Sequence, residues 1–238
     1  MTAAQKFLRN RVDDPGTWFD LKALRNIHHS MFGEVWEWAG SYRTSITSIG
    51  VRPSMIPAQL SELCSEVCAW SKHPVESTFV EMAAHIHHRL VFIHPFENGN
   101  GRFSRLVADR FLLAWQCPHP TWPSNLTNTS SDRSRYIQAL RSADRGEYSF
   151  LITLTKEFGA RDPTICELLA SPFYQERVSK DRLVMLVRAL LRNAADPCEL
   201  SSTGHRPLDL ARLKGQDEIA KLLIQAQSRN SGSLKCDE

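Results

Sequence analysis

Apolar residues recur at intervals of three and four through most of the chain, and that spacing confines it to helices packed on one another. Trp18, Phe19, Leu21, Leu24, Ile27, Met31, Val35 and Trp36 carry the pattern through 18–40, and it returns in 57–71, 76–93, 102–116, 132–144 and 148–158. Residues so spaced fall on one face of an α-helix, and that apolar face must be covered by another element. The one stretch with strand-like alternation is GSYRTSITSIGV at 40–51, where Ile46 and Ile49 stand among Ser, Thr and Gly. It predicts a short hairpin. The expected fold class is all-α, a helical bundle with one small β-hairpin flap. Pro118, Pro120 and Pro123 end the helix expected from Arg102 and stiffen 117–128 as a loop, because proline lacks the amide hydrogen a helix interior needs.

A chain of 238 residues, 42% hydrophobic and 23% charged, can bury one core and a small second unit. Its net charge of +3 is too small to mark nucleic acid or an acidic membrane as the main partner. Cys64, Cys68, Cys117, Cys166, Cys198 and Cys236 lack both the close pairing of a zinc module and the density of a disulfide-stapled domain. They read as reduced thiols. The opening MTAAQKFLRNRVDDPG has no apolar signal core, and no window approaches the roughly 18–20 apolar residues of a membrane span. The expectation is a cytoplasmic chain with no nucleic-acid or membrane partner, with translocation through an unrecognised signal left open.

Beyond about residue 160 two segments overlay, MLVRALLRNA from Met185 and EIAKLLIQAQ from Glu218, offset by 33 residues. That is the period of ankyrin repeats. Between them GHRPLDLA, Gly204 to Ala211, resembles the ankyrin signature G-x-T-P-L-H-x-A, and AADP at Ala194 to Pro197 resembles the repeat's turn. Arg206 and Asp209 depart from the usual Thr and His. The organisation expected is a main domain at 1–163 with its core at 15–160, an ankyrin-like segment at 164–228 and a flexible tail at 229–238. The segment holds about two repeats, the first degenerate, and so few repeats need a neighbour to dock on. A generic helical hairpin is the alternative.

The chemistry gathers in HPFENGNGRFSR, His94 to Arg105. Pro95 breaks one helix, while Gly99 and Gly101 allow the backbone to turn through positive φ and approach a ligand closely. The next helix then opens with free N–H groups and with Arg102 and Arg105. Cations are disfavoured at that positive pole by a few tenths to about 1 kcal/mol each, so an anion should face them. Amide hydrogens and guanidinium groups together make a concavity suited to a phosphate chain. His94 stands at its mouth with a side chain suited to taking a proton from a hydroxyl.

The same stretch resembles the signature of the Fic (filamentation induced by cAMP) family, H-P-F-x-(D/E)-G-N-G-R-x-x-R. His94, Pro95, Phe96, Gly99, Asn100, Gly101, Arg102 and Arg105 match it. FGEVWEWAGSYRTSITSIGV before it and RYIQALRSADRGEYSFLITL after it extend the likeness over about 15–160. Within the family the chain resembles the bacterial type called mobile mystery protein B, to which the ankyrin-like tail is an addition. The resemblance implies a protein adenylyltransferase that moves AMP from ATP, with Mg²⁺ or Mn²⁺, to a Tyr, Ser or Thr hydroxyl of a target protein. Transfer of another phosphate-containing group, or a weakly active nucleotide-binding module, is the alternative. By position, His94 is the general base, Asn100 and the Gly99 to Gly101 backbone hold the α- and β-phosphates, Arg102 neutralises the leaving pyrophosphate, and Arg105 binds the γ-phosphate. Phe96 anchors the loop, completing the nucleotide-binding set with Asn98. Asn98 stands where the family carries a metal-binding carboxylate, and as a neutral ligand it attracts the ion less. Glycines on both sides of Asn100 argue against the family's kinase-like variant.

The flap of such enzymes docks the target as an added strand, here Thr44, Ser45, Ile46, Thr47, Ser48, Ile49, Gly50 and Val51. Target choice then needs a second surface, for which the ankyrin-like tail is the candidate. The family's inhibitory motif, (S/T)-x-x-x-E-(G/N), has no complete copy: Ser30/Glu34, Ser77/Glu81 and Thr153/Glu157 have the spacing, but Val35, Met82 and Phe158 follow. A brake would come from a separate antitoxin, or be absent, with Thr153 and Glu157 the best internal candidate. Two rival readings are weaker. His85 and His88 with Glu81 form an incomplete zinc set, and Arg133, Arg135, Arg141 and Arg145, interleaved with Asp132, Asp144 and Glu147, read as a solvated or ion-paired face rather than a nucleic-acid surface.

Overall fold

The computed structural model describes residues 14–127 and 130–233. Residues 1–13 and the end of the expected tail, 234–238, lie outside them. Every regular element among the described residues is helical, and none is long and apolar enough to cross a membrane. The described chain forms two compact units, one of residues up to Lys72 together with Phe79–Arg161, the other of His73–Thr78 together with residues from Asp162 onward.

The first unit contains α1 (Pro15–Trp18), α2 (Leu21–Phe32), α3 (Ile56–Lys72), α4 (Phe79–Ile93), α5 (Asn100–Ala114), α6 (Ser131–Ala143) and α7 (Ser149–Glu157). The helix expected across 18–40 divides. Asp20 caps α2 by accepting from the Ala23 amide at 2.7 Å, and α2 stops at Phe32, after which turns carry the chain to Ser41. The apolar spacing persists past Phe32 because Trp36 and Trp38 stack on each other and on the helix end, not because the helix continues.

The centre of the unit is the α4–α5 pair. Ten of the fifteen α4 residues are buried, from Phe79 to Ile93, as befits a helix covered on all sides. Phe103, Leu106, Val107, Phe111 and Leu112 of α5 fill the facing side. At ~0.8 kcal/mol per buried methylene, this contact dominates the stability of the unit. The two helices are joined by the loop 94–99, whose ends are thereby anchored in buried helix. Tyr136, Ala139 and Leu140 of α6 and Leu151 and Leu154 of α7 form a second cluster beside them.

No hairpin forms at 40–51; the segment is an irregular loop. Buried Arg43 explains the difference. Its guanidinium donates to the carbonyls of Ser45 (2.8 Å) and Val51, while Thr47 Oγ1 donates to the Ile49 carbonyl at 2.6 Å. The acceptors that a two-stranded ladder would use are already taken.

The second unit contains α8 (Ile165–Ala170), α9 (Pro172–Arg177), α10 (Lys180–Arg192), α11 (Pro207–Leu213) and α12 (Asp217–Ser233). A full capping box, Thr164 with Glu167, starts α8. Helix α8 packs on α11, and α10 on α12. The Cys166 thiol donates to the carbonyls of Glu199 and His205 at 3.4 and 3.5 Å, pinning the turn before α11. Helix α12 continues through Ser233, so the expected flexible tail does not begin at 229. The five described cysteines are free thiols.

Candidate active site

Gly99 makes the site possible. It adopts φ +81° as the N-cap of α5, and a Cβ there would lie 2.7 Å from the Phe32 ring. No side chain caps this helix end, so its first amides face the cleft. Gly101 is different from the expectation, since it is helical and its Cβ position meets only Arg105 Nη1, at 3.7 Å. It keeps space in front of the amides rather than bending the chain.

The two Asn side chains of the loop differ, Asn100 being buried and Asn98 exposed. Asn100, 2% exposed, accepts from the Phe96 amide at 3.0 Å and donates to the Phe96 carbonyl at 2.7 Å. Its side-chain amide shapes the loop, and Asn100 also lines the cleft. Asn98 Oδ1 accepts from the Gly99 amide at 2.7 Å. Glu97, also on the cleft lining, accepts from Ser45 Oγ at 2.8 Å. Phe96 is fully buried, so it supports the nucleotide-binding loop from below and does not line the cleft.

His94 has φ +52°. Its Nδ1 makes no full hydrogen bond. Burial pushes its pKa down, the Val91 backbone partly offsets this, and the Arg43 cation adds to it. The imidazole is therefore neutral at neutral pH, the form that accepts a proton. Gly50, at φ +100°, sits against it: a Cβ there would lie 2.5 Å from His94 Cβ.

His94, Asn98, Gly99, Gly101, Arg102 and Arg105 line one cleft of about 390 Å³. Both arginines project over aromatic faces, Arg102 at 4.5 Å from the Phe32 ring and 5.7 Å from Trp36, and Arg105 at 5.7 Å from Trp122 and from Tyr136. Such contacts offset part of the cost of placing cations at the positive helix pole. Val91, Leu126, Ile137 and Leu140 give the opposite wall an apolar character.

Sequence reasoning missed Arg43 and His28, and gave Gly50 and Arg133 other roles, a flap position and a solvated or ion-paired face. Arg43 and Gly50 hold His94 as above; the signal was a single arginine in an otherwise uncharged Ser/Thr/Ile stretch. Arg133 lines the cleft, held by the Leu126 carbonyl at 2.6 Å, whereas Arg135 and Arg145 are ion-paired with Glu157 and Glu147. Glu157, the best internal brake candidate, is thus bound on another surface. His28, fully buried and in apolar register with Leu24, is the other residue missed. Its ring stacks on Phe96 at 3.7 Å, Nδ1 accepts from the Gly40 amide, and Nε2 donates to the Asn98 carbonyl, both at 3.0 Å. These bonds require one neutral tautomer. Burial accordingly pushes its pKa down to about 4.

A histidine kept neutral by folding destabilises the protein in acid, because the unfolded chain takes up the proton first, near 6.5. His28→Gln removes this one titration. The stability advantage of wild type over the variant should therefore shrink by on the order of 3 kcal/mol between pH 7 and pH 4, as urea unfolding at several pH values will measure. An unchanged gap would mean that His28 is not buried neutral.

His85 and His88 line one surface pocket but take different carboxylate partners. His85 pairs with Glu66, while His88 bonds Tyr148 at 2.9 Å and Asp144 at 2.9 Å. No group of three metal-ligating side chains occurs among the described residues.

Fold and site together define a helical domain with a glycine- and arginine-bearing loop between two central helices. Residues 18–112 match the model of the Fic/DOC family. The protein adenylyltransferase Fic of Aedes aegypti is 29% identical over 150 residues, covering 62% of this chain and 29% of that protein. That of Culex quinquefasciatus is 30% identical over 152 residues, with the same coverage of 62% and 29%. The chain thus spans under a third of the length of these curated relatives. Among solved structures, the N-terminal Fic domain of a putative cell filamentation protein from Bartonella quintana superposes with a TM-score of 0.53 at 21% identity, covering 66% of this chain and 76% of that one. BepC of Bartonella tribocorum, solved with bound AMPPNP, gives 0.52 at 21% identity, covering 68% and 82%. Both share the fold.

Proposed function

We propose that the chain is a protein adenylyltransferase, acting in the cytoplasm, that transfers AMP from ATP to a Tyr, Ser or Thr hydroxyl of a target protein. The observation that carries this is the convergence of a neutral His94, the uncapped α5 N-terminus, Arg102 and Arg105 on one cleft. The resemblance to adenylyltransferases and the AMPPNP bound by BepC support ATP as the donor. His94 takes the hydroxyl proton as the target oxygen bonds the α-phosphorus and the bond to the β-phosphate oxygen breaks, releasing pyrophosphate. Preorganised N–H and guanidinium donors stabilise the charge that develops on that leaving group. Asn98 fits a divalent cation through its second oxygen lone pair, with the phosphates as the main ligands. When bound, Mg²⁺ would neutralise charge on the diphosphate.

The loop 44–51 would receive the target, with Ile46, 85% exposed, and Ile49, 56% exposed, as its apolar contacts. The mobile mystery protein B type, an ankyrin-like second unit that selects targets, and restraint by a separate antitoxin complete the reading. The parallel packing of α8 with α11 and of α10 with α12 is consistent with stacked repeats.

Incubation with a bacterial lysate and ATP labelled at the α- or the γ-phosphate tests the reading. Label should enter protein from the α position only, and His94→Ala should reduce it at least about 100-fold while nucleotide still binds. Label from the γ position would make the chain a kinase, and none from either would remove ATP as donor.

A further inference from the structure

Arg105 rests in a buried box whose other members the transfer chemistry does not use. Its guanidinium lies 5.7 Å from the ring of Trp122, from the proline-rich loop, and 5.7 Å from that of Tyr136, from α6, and the two rings meet edge-on at 6.2 Å. It also donates to the Tyr136 hydroxyl. Tyr136 is 4% exposed, and its oxygen lies 2.8 Å from Nε2 of buried His87. An arginine can only donate, so the tyrosine oxygen accepts from it and passes its own proton to His87 Nε2. That assignment needs a neutral imidazole, and burial supplies one by pushing the His87 pKa down to about 3. On the other side the Trp122 indole N–H donates to both oxygens of Asp109, at 3.0 and 3.2 Å. Asp109 is 6% exposed, and His87 stands edge-on to Trp122 at 5.3 Å. Asp109 thus locks Trp122, His87 locks Tyr136, and the two locked rings hold one arginine.

We propose that Trp122 and Tyr136 are positioning residues that aim Arg105 at a terminal phosphate, and so make the cleft prefer nucleoside triphosphates over diphosphates. This rests on the nucleotide-transfer reading. A free arginine side chain must lose rotamer freedom when it meets a phosphate, whereas a seated one has already lost it on folding. The benefit reaches only ligands that extend to Arg105. A diphosphate does not, and its affinity should be indifferent to the seat.

The test is calorimetric titration of the full chain with ATP and with ADP, for wild type, Tyr136→Phe, Trp122→Phe, Arg105→Ala and the Arg105→Ala/Tyr136→Phe pair. Tyr136→Phe keeps the ring and removes the hydroxyl; Trp122→Phe keeps a ring and removes the N–H. Each should weaken ATP about 5–10-fold, the value of one charge-assisted hydrogen bond, and leave ADP within about 2-fold. Tyr136→Phe should add nothing once Arg105 is gone. Equal weakening of ATP and ADP, no weakening of either, or an additive double variant would overturn the proposal. Should Trp122→Phe fail to fold, Tyr136→Phe decides alone. Wild type that binds neither nucleotide would instead overturn the transfer reading and this proposal with it.

Discussion

Arg43→Met should lower the unfolding free energy by about 3–5 kcal/mol and leave little activity. Arg43 is 2% exposed, and its guanidinium fans out to the carbonyls of His94 (2.7 Å), Ser45 (2.8 Å), Val51 and Ile93 (3.5 Å), while its amide donates to the Pro95 carbonyl at 2.9 Å. No carboxylate pairs with this buried cation among its hydrogen bonds; carbonyl dipoles from both ends of the flap and from the motif loop solvate it. Methionine fills similar volume but leaves those acceptors without a donor, and each buried unsatisfied group costs about 1–3 kcal/mol. The loss also reaches His94, the proposed general base, since the Arg43 charge helps to hold its pKa down. Without it the pKa rises, and the acid limb of the pH–rate profile should move to higher pH. Urea unfolding and kcat/KM against pH check the two effects. Arg43→Lys, with one ammonium in place of a planar fork, should recover only part of the stability. A variant as stable as wild type would show that the flap does not depend on this clamp.

Gly50→Ala should cut transfer at least about 100-fold while costing about 1–3 kcal/mol of stability. The added methyl would meet His94 Cβ at 2.5 Å, Arg43 Nη2 at 2.9 Å and the Ile93 carbonyl at 3.1 Å, and φ +100° is itself strained for alanine. Relief requires His94 or the flap to shift, and a displacement of about 1 Å at a reacting group is enough for a loss of that size. The comparison that decides is with Gly146→Ala. Gly146 also has a positive φ, +86°, but its Cβ would meet nothing within 4 Å. Gly146→Ala should therefore show the backbone strain without the catalytic loss. Equal activity in the two variants would mean that Gly50 does not position the base.

Most of the helices were legible because a buried face leaves a period of three to four in any sequence, and the expected segments from 57 to 158 correspond to α3 through α7. The motif was legible for a related reason: an αL glycine, an uncapped helix start and two arginines are local features of consecutive residues. His94, Gly99, Arg102 and Arg105 meet at the cleft accordingly. Phe96, expected to anchor the loop, is fully buried beneath it, and its backbone offers the Asn100 amide a donor and an acceptor at once.

Local pattern could not show what groups distant in sequence do to each other. Alternating Ile and Ser/Thr suggested strands at 40–51, yet one buried arginine claims the carbonyls of both flap ends, and hydrogen-bond acceptors already filled cannot build a ladder. His28 and Asn98 are 70 residues apart, and His87 and Tyr136 are 49 apart. Periodicity covers the helices of His28, His87 and Tyr136 but not the loop that holds Asn98. Only the packed fold decided which partner each would find, because a buried polar group must be satisfied by whatever the tertiary structure brings within hydrogen-bonding reach.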